Sequence, residues 1–384
     1  MKRIVVLGGT GNIGRWVVRD LYDSCKDCEI VIAAKDSKKA GEYAKKFKSS
    51  RVKSAGVDVT DINKTAKLLK GADVCINCVI YYLNLHVMKA CLRTKCHYLD
   101  LGGLFHMTRK QLKLHKQFKN KNILAILGCG STPGITNVLA AYGARFFDSI
   151  HEIHISFADA DFTKYDQPFV LPYTMYTLFD EYMMKPPLFT KGKLKIVEPR
   201  SGETRIEFPK PTGKIKGFYT IHSELATIPK SFKGVKECSF RVTFPEEFSR
   251  KMEFLIDAGF ASDKEIGIGK SKIKPRDFTA KIMDRWIPKD VKVKDIECLR
   301  VEMKGKKSGR KKQLIGYCLT KSNKKYNIPA GTYDTAVPPS IIAQMITGGK
   351  ISKRGVLPPE KCIEPGYFLR ELRKRGIRVF VRKK

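Results

Sequence analysis

Near the N-terminus, the chain reads Gly9-Thr10-Gly11-Asn12-Ile13-Gly14 directly after an apolar run that begins at Ile4. The glycines follow the spacing G-x-G-x-x-G, and the residues after them show the apolar period of a helix. A glycine loop between a strand and a helix is the context that dinucleotide binding requires. The first glycine allows a tight turn, the second lets the backbone approach a pyrophosphate, and the third lets the helix pack on the sheet. We therefore predict that these six residues bind a cofactor at the positive end of the helix.

The same strand and helix pattern repeats along the first third of the chain. Further apolar runs begin at residues 29, 51, 73, 97 and 123, so successive runs start 22 to 26 residues apart. Helical patterns fill the intervals at residues 37–47, 61–69, 83–94 and 108–118. Because parallel strands need crossover helices, this order predicts an α/β Rossmann fold, a doubly wound parallel sheet, over residues 1–134.

The pattern changes after about residue 127. One helix is predicted over residues 135–147, and extended segments then follow one another without regular helices between them. This order predicts an inserted α+β domain over residues 135–335. The extended segments lie near residues 151–158, 193–198, 204–208, 214–221, 236–244, 295–303 and 313–320.

The C-terminal part returns to helix signals, at residues 340–347 and 366–374. They predict a C-terminal segment, residues 336–384, that packs back on the Rossmann domain. The basic run at residues 304–312 lies between two extended segments and is predicted to be a solvated hairpin tip.

The charge of the chain is its most unusual bulk property. Lysine and arginine number 74 against 38 acidic residues, a net charge of +36 that is typical of nucleic-acid, membrane-surface or anionic partners. Most of the cations fall on outer helix faces, the hairpin tip and the tail. This distribution favours a solvated surface, and a nucleic-acid partner is not expected. The length of 384 residues, with 42% apolar residues, predicts a globular protein of two or three domains.

The cysteines and the apolar runs bear on the location of the protein. No apolar run reaches the ~18 residues of a membrane span, so no membrane partner is expected. Eleven cysteines without a regular framework indicate a reducing cytoplasm and no need for disulfides. The pairs Cys25/Cys28 and Cys75/Cys78 have the spacing of zinc ligands, but strand alternation turns Cys75 and Cys78 to opposite faces. No metal site is predicted.

The end of the second predicted strand bears on the choice of cofactor. The strand closes at Ala34, and Lys35, Asp36, Ser37 and Lys38 follow it. Two cations and a hydroxyl suit a 2′-phosphate better than a lone carboxylate does, so NADP is favoured, while Asp36 keeps NAD open. Asp58 closes the third strand, where it would border the adenine or cap the next helix.

Ligands of open parallel sheets lie beyond the carboxyl ends of the strands. There, Asn77 and Tyr82 are predicted near the nicotinamide, with Asp100 beside them. Thr132 is a candidate N-cap for the helix from Ile135, with Pro133 at its first position, and this helix start is a second candidate anion site. Cys129 has no identifiable base partner, so a tight turn is favoured over a thiol nucleophile.

Several ordered motifs resemble one known family. They are Cys96-His-Tyr-Leu-Asp-Leu-Gly-Gly103, Pro133-Gly-Ile-Thr-Asn137, Phe218-Tyr-Thr-Ile-His-Ser-Glu-Leu-Ala-Thr-Ile-Pro229, Lys274-Pro-Arg-Asp277 and Ile351-Ser-Lys-Arg-Gly-Val-Leu-Pro-Pro-Glu360. With the glycine loop, they resemble the saccharopine dehydrogenase-like oxidoreductases, and within them most closely the L-lysine 6-dehydrogenases. The resemblance runs nearly end to end.

The resemblance implies a Rossmann domain with an inserted domain that closes the substrate cleft and commonly forms a homodimer. It implies reversible hydride transfer at a carbon bearing an amine, with water opening the resulting imine. An amino-acid or polyamine substrate is therefore expected. Two features depart from the lysine enzymes, namely Ala34-Lys35 and the segment His222-Ser-Glu224. Ala34-Lys35 looks more like the NADP-using saccharopine and carboxynorspermidine enzymes, and the His222 segment looks more like other branches of the family.

Amine oxidation requires a group that holds the ammonium and a group that removes its proton. We predict Asp100 as a carboxylate near the nicotinamide, His222 as the acid/base and Glu224 as a second contact to the amine. Two other functions stay open: a carboxynorspermidine dehydrogenase-type polyamine enzyme, and a non-catalytic basic nucleotide- or nucleic-acid-binding protein on the same fold.

Overall fold

The computed structural model describes residues 1–167, 169–283, 285 and 291–383. Its first sheet is parallel, with the strand order β17-β6-β5-β4-β1-β2-β3. The strands are β1 (Lys2–Leu7), β2 (Cys28–Ala34), β3 (Val52–Gly56), β4 (Val74–Asn77), β5 (His97–Asp100), β6 (Leu124–Ile126) and β17 (Gly355–Leu357). The six predicted strands are confirmed, and the order is that of a doubly wound sheet.

Helices cover both faces of this sheet. They are α1 (Gly14–Ser24), α2 (Ser37–Lys45), α3 (Ile62–Leu69), α4 (Asn84–Thr94), α5 (Leu104–Leu112) and α6 (His115–Asn120). Within β1, Ile4 and Val6 pack in one core cluster, and Val5 and Leu7 pack in another. Strand alternation thus buries apolar side chains on both faces, as parallel sheets require.

The predicted helix at 108–118 is wrong in its bounds. It starts earlier, at Leu104, and it is interrupted at Lys113 and Leu114, so α5 and α6 replace it. Leu104 and Phe105 are both buried, and two adjacent buried residues do not show the helical period by which the sequence pattern is recognised.

The second sheet is mixed, with the strand order β10-β11-β12-β7-β15-β16-β18 and a branch through β8 and β9. Its pairings are antiparallel except that between β12 and β7. The strands are β7 (Ser149–Asp161), β8 (Pro187–Thr190), β9 (Lys193–Ile196), β10 (Thr204–Glu207), β11 (Lys214–Tyr219), β12 (Glu237–Thr243), β15 (Asp295–Lys307), β16 (Arg310–Lys321) and β18 (Arg378–Lys383). A separate hairpin is made of β13 (Ile266–Ile268) and β14 (Ser271–Ile273).

The prediction that this region lacks regular helices between its strands is wrong. It contains α8 (Met175–Met183), α9 (Glu224–Ser231), α10 (Glu246–Asp257) and α11 (Pro275–Met283). In α8 the acidic residues Asp180 and Glu181 are themselves buried, and α9 carries a buried Glu224 and an internal Pro229. A helix that buries its charged residues does not show the polar face on which the sequence pattern depends.

The last part of the chain joins both sheets. α7 (Ile135–Ala144) connects the first sheet to the second. After the second sheet, the chain forms α12 (Ala330–Thr347), α13 (Pro359–Cys362) and α14 (Pro365–Lys374). β17 extends the first sheet beside β6, whereas β18 pairs with β16 in the second. The helix predicted at 340–347 begins ten residues earlier, at Ala330. Pro338 and Pro339 lie inside it, and internal prolines are normally read from sequence as a helix boundary. The domain boundaries at 134/135 and 335/336 stay a proposal.

The structure differs from two smaller predictions, on the length of the basic hairpin tip and on the absence of disulfides. The predicted hairpin tip at 304–312 is shorter in the structure, because β15 and β16 extend through most of its charged residues and leave a turn at Ser308 and Gly309. Lys307 also forms an ion pair with Asp148 at 2.6 Å. Cys25 and Cys28 form a disulfide, which the sequence did not predict.

Candidate active site

The glycine loop joins β1 to α1 as predicted. A Cβ atom at Gly14 would lie 2.2 Å from the carbonyl oxygen of Gly8, so close packing of the helix on the loop excludes any side chain there. The amide of Gly11 donates to the same carbonyl at 2.9 Å, which closes the turn. Gly11 and Asn12 are exposed beside the start of α1. The loop therefore offers an accessible backbone to an anionic ligand at a helix N-terminus.

The end of β2 presents exposed cations. Lys35 Nζ lies 2.9 Å from a carboxylate oxygen of Asp58, and its side chain is 84% exposed. Hydrogen bonds from Lys35 and Thr60 hold the pKa of Asp58 well below its usual range. Asp36 caps α2, because its carboxylate accepts from the amide of Lys39 at 3.0 Å. Ser37 is the exposed first residue of α2. The helix that follows β3 is capped by Asp61, so Asp58 is not its cap.

A buried polar network closes the ends of β4 and β5. Asn77 donates to Asn84 at 2.9 Å, and Tyr98 donates to Asp100 at 2.9 Å. Both Asn77 and Asp100 are 1% exposed. Gln111 also donates to Asp100, at 2.6 Å. The network orders the carboxyl ends of β4 and β5.

Asp100 is saturated with donors. Its second oxygen accepts the backbone amides of Gly102 and Gly128, at 3.0 and 2.7 Å. Burial raises the pKa of Asp100, and the hydrogen bonds from Gly128, Gln111 and Tyr98 act against that rise. The carboxylate therefore ties the loop after β5 to the loop after β6, and its oxygens are engaged within the protein.

His222 and Glu224 form a buried pair between β11 and α9. Nδ1 of His222 is hydrogen-bonded to a carboxylate oxygen of Glu224, and the two residues are 5% and 0% exposed. Burial alone would lower the pKa of His222, but the carboxylates of Glu224 and Glu181 outweigh it and raise the pKa. Burial would raise the pKa of Glu224, but His222 and Thr132 lower it. The geometry therefore favours a charged pair.

The pair is attached to the edge of the first sheet. Thr132 and Thr136 donate to the other oxygen of Glu224 at 2.6 and 2.9 Å. Ser223, between the two residues, accepts from the amide of Gly103 at 3.3 Å. The expected N-cap role of Thr132 is wrong: α7 begins at Ile135 after Gly134, and the Thr132 hydroxyl is turned to Glu224.

Glu181 brings a second carboxylate to the same cluster. It accepts a hydrogen bond from the hydroxyl of Tyr173, and it is 4% exposed. Burial raises the pKa of Glu181 to about 7, against the opposing effect of His222. The charge of Glu181 in turn raises the pKa of His222.

A second network connects the two sheets through Asp180. Tyr81 and Tyr82, after β4, both donate to one oxygen of Asp180, at 2.7 and 2.9 Å. Arg276 from α11 pairs with the other oxygen at 2.7 Å. Tyr82 is thus placed at the predicted edge, but its hydroxyl is turned toward α8. Burial and the charge of Asp180 raise the pKa of Tyr82 to about 12.

The structure brings most of the predicted residues to one edge of the first sheet. The sequence analysis did not single out Tyr173, Asp180, Glu181 or Arg276. A signal was present in two of them, because Asp180 and Glu181 stand within the apolar stretch Leu178-Phe-Asp-Glu-Tyr-Met183. Among the described residues, no group of three or more His, Cys, Asp or Glu is placed to hold a metal ion, and no helix is long and apolar enough to cross a membrane.

Comparison with known proteins gives two family matches that cover most of the chain. The Saccharopine dehydrogenase NADP binding domain matches residues 4–126, and the Saccharopine dehydrogenase C-terminal domain matches residues 130–377. A nicotinamide cofactor is therefore supported. The chain is also similar over its full length to the apo saccharopine dehydrogenase (L-Glu forming) from Saccharomyces cerevisiae, with a TM-score of 0.78 and 16% identity over 100% of both chains. That similarity shows the shared fold.

Two curated relatives align over nearly the whole chain. Carboxyaminopropylagmatine dehydrogenase from Synechocystis sp. is 26% identical, over 97% of this chain and 96% of the relative. Carboxynorspermidine synthase from Vibrio cholerae serotype O1 is 24% identical, over 96% of this chain and 94% of the relative.

Proposed function

The chain belongs to the saccharopine dehydrogenase family, and from that premise we propose that it is an NADP-dependent oxidoreductase that forms or opens the C–N bond of a carboxylated polyamine. The observation that carries the proposal is the buried His222–Glu224 pair, which is hydrogen-bonded to residues at the carboxyl edge of a dinucleotide-binding sheet. Reaction at an amine needs such a proton-exchanging group beside the hydride site.

The cofactor contacts of the proposal follow from the exposed loop residues. The backbone of Gly9-Thr10-Gly11-Asn12-Ile13-Gly14 would hold the pyrophosphate through its exposed residues Gly11 and Asn12, while Gly14 lets α1 pack closely on the loop. Lys35 and Ser37 would hold a 2′-phosphate, with Asp58 orienting Lys35. NADP is preferred to NAD because Asp36 is already engaged as a helix cap. Asn77 and Tyr82 would border the nicotinamide.

Bound NADP would exchange a hydride with the substrate carbon. We assign the proton to His222, whose Nδ1 faces Glu224, so that Nε2 serves the substrate. In the oxidative direction, His222 takes the proton of the substrate ammonium before the C–H bond breaks. After releasing this proton to solvent, His222 removes a proton from the water that attacks the imine carbon and returns it to the departing amine. The sum is one amine and one water converted to one carbonyl and one smaller amine, with one hydride and one proton released.

We assign different roles to the three predicted catalytic residues. Glu224 is a positioning residue that keeps the imidazole oriented and raises its pKa. Asp100 is also a positioning residue, because both its oxygens are occupied by protein donors. His222 alone is proposed to meet the reacting nitrogen.

The names of the two curated relatives favour a polyamine substrate. Both names contain a carboxylated polyamine, carboxyaminopropylagmatine in one and carboxynorspermidine in the other. Both relatives align with nearly all of this chain, which includes the segment His222-Ser-Glu224. The alternative substrates, lysine and saccharopine, stay open to the same experiment.

The test is an initial-rate assay of NADP and NAD reduction with four amines: carboxynorspermidine, carboxyaminopropylagmatine, saccharopine and lysine. We expect turnover with NADP and one of the carboxylated polyamines, with a kcat/KM at least about tenfold above that for lysine. Turnover with lysine or saccharopine alone would overturn the polyamine assignment. NADPH binding without turnover of any amine would overturn the enzymatic proposal.

A further inference from the structure

Three polar side chains lie in a row on the face of the second sheet that points away from the His222 cluster. Ser156 on β7 is the register partner of Arg241 on β12 and of Arg300 on β15. Register partners point to the same face of a sheet, so the serine lies between the two arginines. Phe240, next to Arg241 on β12, stacks on His222, and consecutive side chains of a strand point to opposite faces. The sheet itself therefore separates this Arg–Ser–Arg row from the proposed catalytic cluster.

A cavity of about 390 Å³ opens over the Arg–Ser–Arg row. The row and residues 204–207 of the edge strand β10 line it. Ile206 of β10 lies in one apolar cluster with Cys298 of β15 and Tyr317 of β16, so the sheet curls and brings its edge strand over this face. The volume is in the range of cavities that bind small molecules.

The positive charge of Arg241 is not paired with a carboxylate among the residues that the structure describes. Its Nε donates to the carbonyl oxygen of Gly202 at 3.1 Å, and its two Nη atoms donate to Ser239 at 3.0 Å and to Tyr219 at 2.6 Å. All three partners are neutral. A guanidinium has five N–H groups, so two remain for a ligand. Burial lowers the pKa of Arg241, because its charge is partly removed from water.

The guanidinium of Arg241 is held in place by its neighbours. Its Cζ atom lies 4.0 Å from the ring centroid of Tyr219. The Tyr219 ring also fills the space that a side chain at Gly202 would need, so only a glycine lets that carbonyl reach Arg241. A donor that is already fixed loses little conformational entropy when it binds an anion.

Ser156 adds a second donor to the cavity. The residue is 2% exposed, and its hydroxyl makes no hydrogen bond within the described part of the chain. It lines the cavity between the two arginines. Buried polar groups without partners are rare in folded proteins, so this hydroxyl points to a ligand. Arg300 contributes less charge than Arg241, because it is ion-paired with Glu302 at 2.7 Å.

We propose that this cavity binds a small oxyanion, the phosphate or carboxylate group of a metabolite, between Arg241 and Ser156. The planar fork of a guanidinium matches two oxygens of such a group, and the serine hydroxyl donates to a third contact. The inference goes beyond the proposed function, because the site lies across the sheet from His222 and takes a ligand other than the substrate and the cofactor.

The experiment is calorimetric titration of the full chain saturated with NADP, so that the cofactor already covers the glycine loop and Lys35. Inorganic phosphate and succinate are the probes, and they separate a phosphate ligand from a carboxylate ligand. Chloride at the same ionic strength is the control for general screening of the basic surface.

Two variants test the cavity. Arg241→Gln removes the unpaired charge, and Ser156→Ala removes only the hydroxyl. The matched control variant is Arg310→Gln, because it removes the same charge from an exposed position at the start of β16.

We expect one of the two probes to bind the wild-type chain with a Kd below about 1 mM. Arg241→Gln should weaken that binding about tenfold or more, because charge-assisted hydrogen bonds are lost. Ser156→Ala should weaken it roughly threefold, because one neutral hydrogen bond is lost. Arg310→Gln should leave it unchanged.

A wild-type chain that binds neither probe would overturn the inference, and so would binding that survives unchanged in both cavity variants. Equal losses in Arg241→Gln and Arg310→Gln would assign the binding to the net charge of the surface and would also overturn it. Should Arg241→Gln fail to fold, Ser156→Ala decides, since it keeps every charge.

Native mass spectrometry covers the remaining source of a carboxylate, a second copy of the chain. An assembly that Arg241→Gln dissociates, together with a wild-type chain that binds neither probe, would place a partner carboxylate in the cavity and overturn the small-ligand site. The titration does not depend on turnover, so a failure of the proposed function leaves this test intact.

Discussion

The imidazole of His222 stacks on the phenyl ring of Phe240, with ring centroids 3.8 Å apart and planes 5° from parallel. Because β12 holds Phe240 within the second sheet, the stack fixes the plane of the imidazole. The remaining freedom of the ring is removed by the hydrogen bond from Nδ1 to Glu224. A ring whose plane and rotation are both fixed can present one nitrogen to a substrate, which is what acid–base chemistry at an amine requires.

Replacing His222 tests this role. We predict that His222→Ala lowers kcat by roughly two or more decades, because general acid–base catalysis contributes that much, while NADP binding is unchanged. Steady-state rates and a fluorescence titration with NADPH give the two values. The control is His106→Ala, an exposed histidine on α5. An unchanged kcat in His222→Ala would remove His222 from the mechanism.

The pH profile tests the pairing with Glu224. The pKa of His222 is raised above 6.5, and oxidation requires the neutral imidazole, so kcat for amine oxidation should rise with pH through an inflection above 6.5. In Glu224→Gln the negative charge is gone, and the inflection should move to lower pH. A profile whose inflection is the same in wild type and variant would show that Glu224 does not set the pKa.

The same pair makes stability depend on pH, with opposite signs at its two members. Because the pKa of His222 is raised in the folded state, its protonation stabilises the fold at pH values below the pKa of the unfolded state. This contribution is lost as the pH rises through the pKa of the folded state. Because the pKa of Glu224 is lowered in the folded state, its ionisation stabilises the fold at pH values above the pKa of the unfolded state. This contribution is lost as the pH falls through the pKa of the folded state. The measurement is the free energy of unfolding by denaturant at several pH values, for the wild type and the double variant His222→Gln/Glu224→Gln. The difference between the two proteins should change little between pH 4.5 and 6.5 and should shrink below and above that window.

Lys35 tests the choice between NADP and NAD. We predict that Lys35→Ala weakens NADP binding by about tenfold and leaves NAD binding unchanged, because only the 2′-phosphate would meet this cation. Titrations with both cofactors measure the ratio. Lys45→Ala, at the far end of α2, is the control. Equal losses for NADP and NAD would place Lys35 away from the 2′-phosphate.

The bridge through Asp180 tests the connection between the two sheets. Asp180 is 3% exposed and pairs with Arg276, whereas the other partner of Arg276, Asp263, is 67% exposed. We predict that Asp180→Asn costs about 3 kcal/mol of unfolding free energy, because it removes the buried carboxylate of Arg276 and leaves only the exposed Asp263 as its ion-pair partner. Asp263→Asn should cost under about 1 kcal/mol. Equal losses in the two variants would contradict a structural role for the buried bridge.

The first sheet could be predicted from the sequence because its apolar runs recur at a regular interval and its glycine loop follows a strand. Two helices of the second half, α8 and α9, were missed for the opposite reason, because they bury acidic residues and show no polar stripe. His222 and Glu224 could be named because they lie in a motif of the resembled family. Their partner Glu181 lies 41 residues earlier in the chain, and only the tertiary structure brings it to His222.

Other expectations from the sequence stay predictions. The homodimer can be measured by native mass spectrometry, and the cytoplasmic location by fractionation of cells that express the chain. The lysine 6-dehydrogenase reading depends on the substrate assay, because the curated relatives named above carry polyamine names.

The most direct test of the central claim follows the hydride itself. The chain is incubated with NADPH deuterated at the transferable position, with 1,3-diaminopropane or agmatine as the amine and an amino-acid aldehyde as the carbonyl. The account predicts a secondary amine whose mass contains one deuterium, formed in equal amount to the NADPH consumed. Deuterium found instead in an alcohol, or NADPH that is not consumed in the presence of both amine and aldehyde, would contradict it.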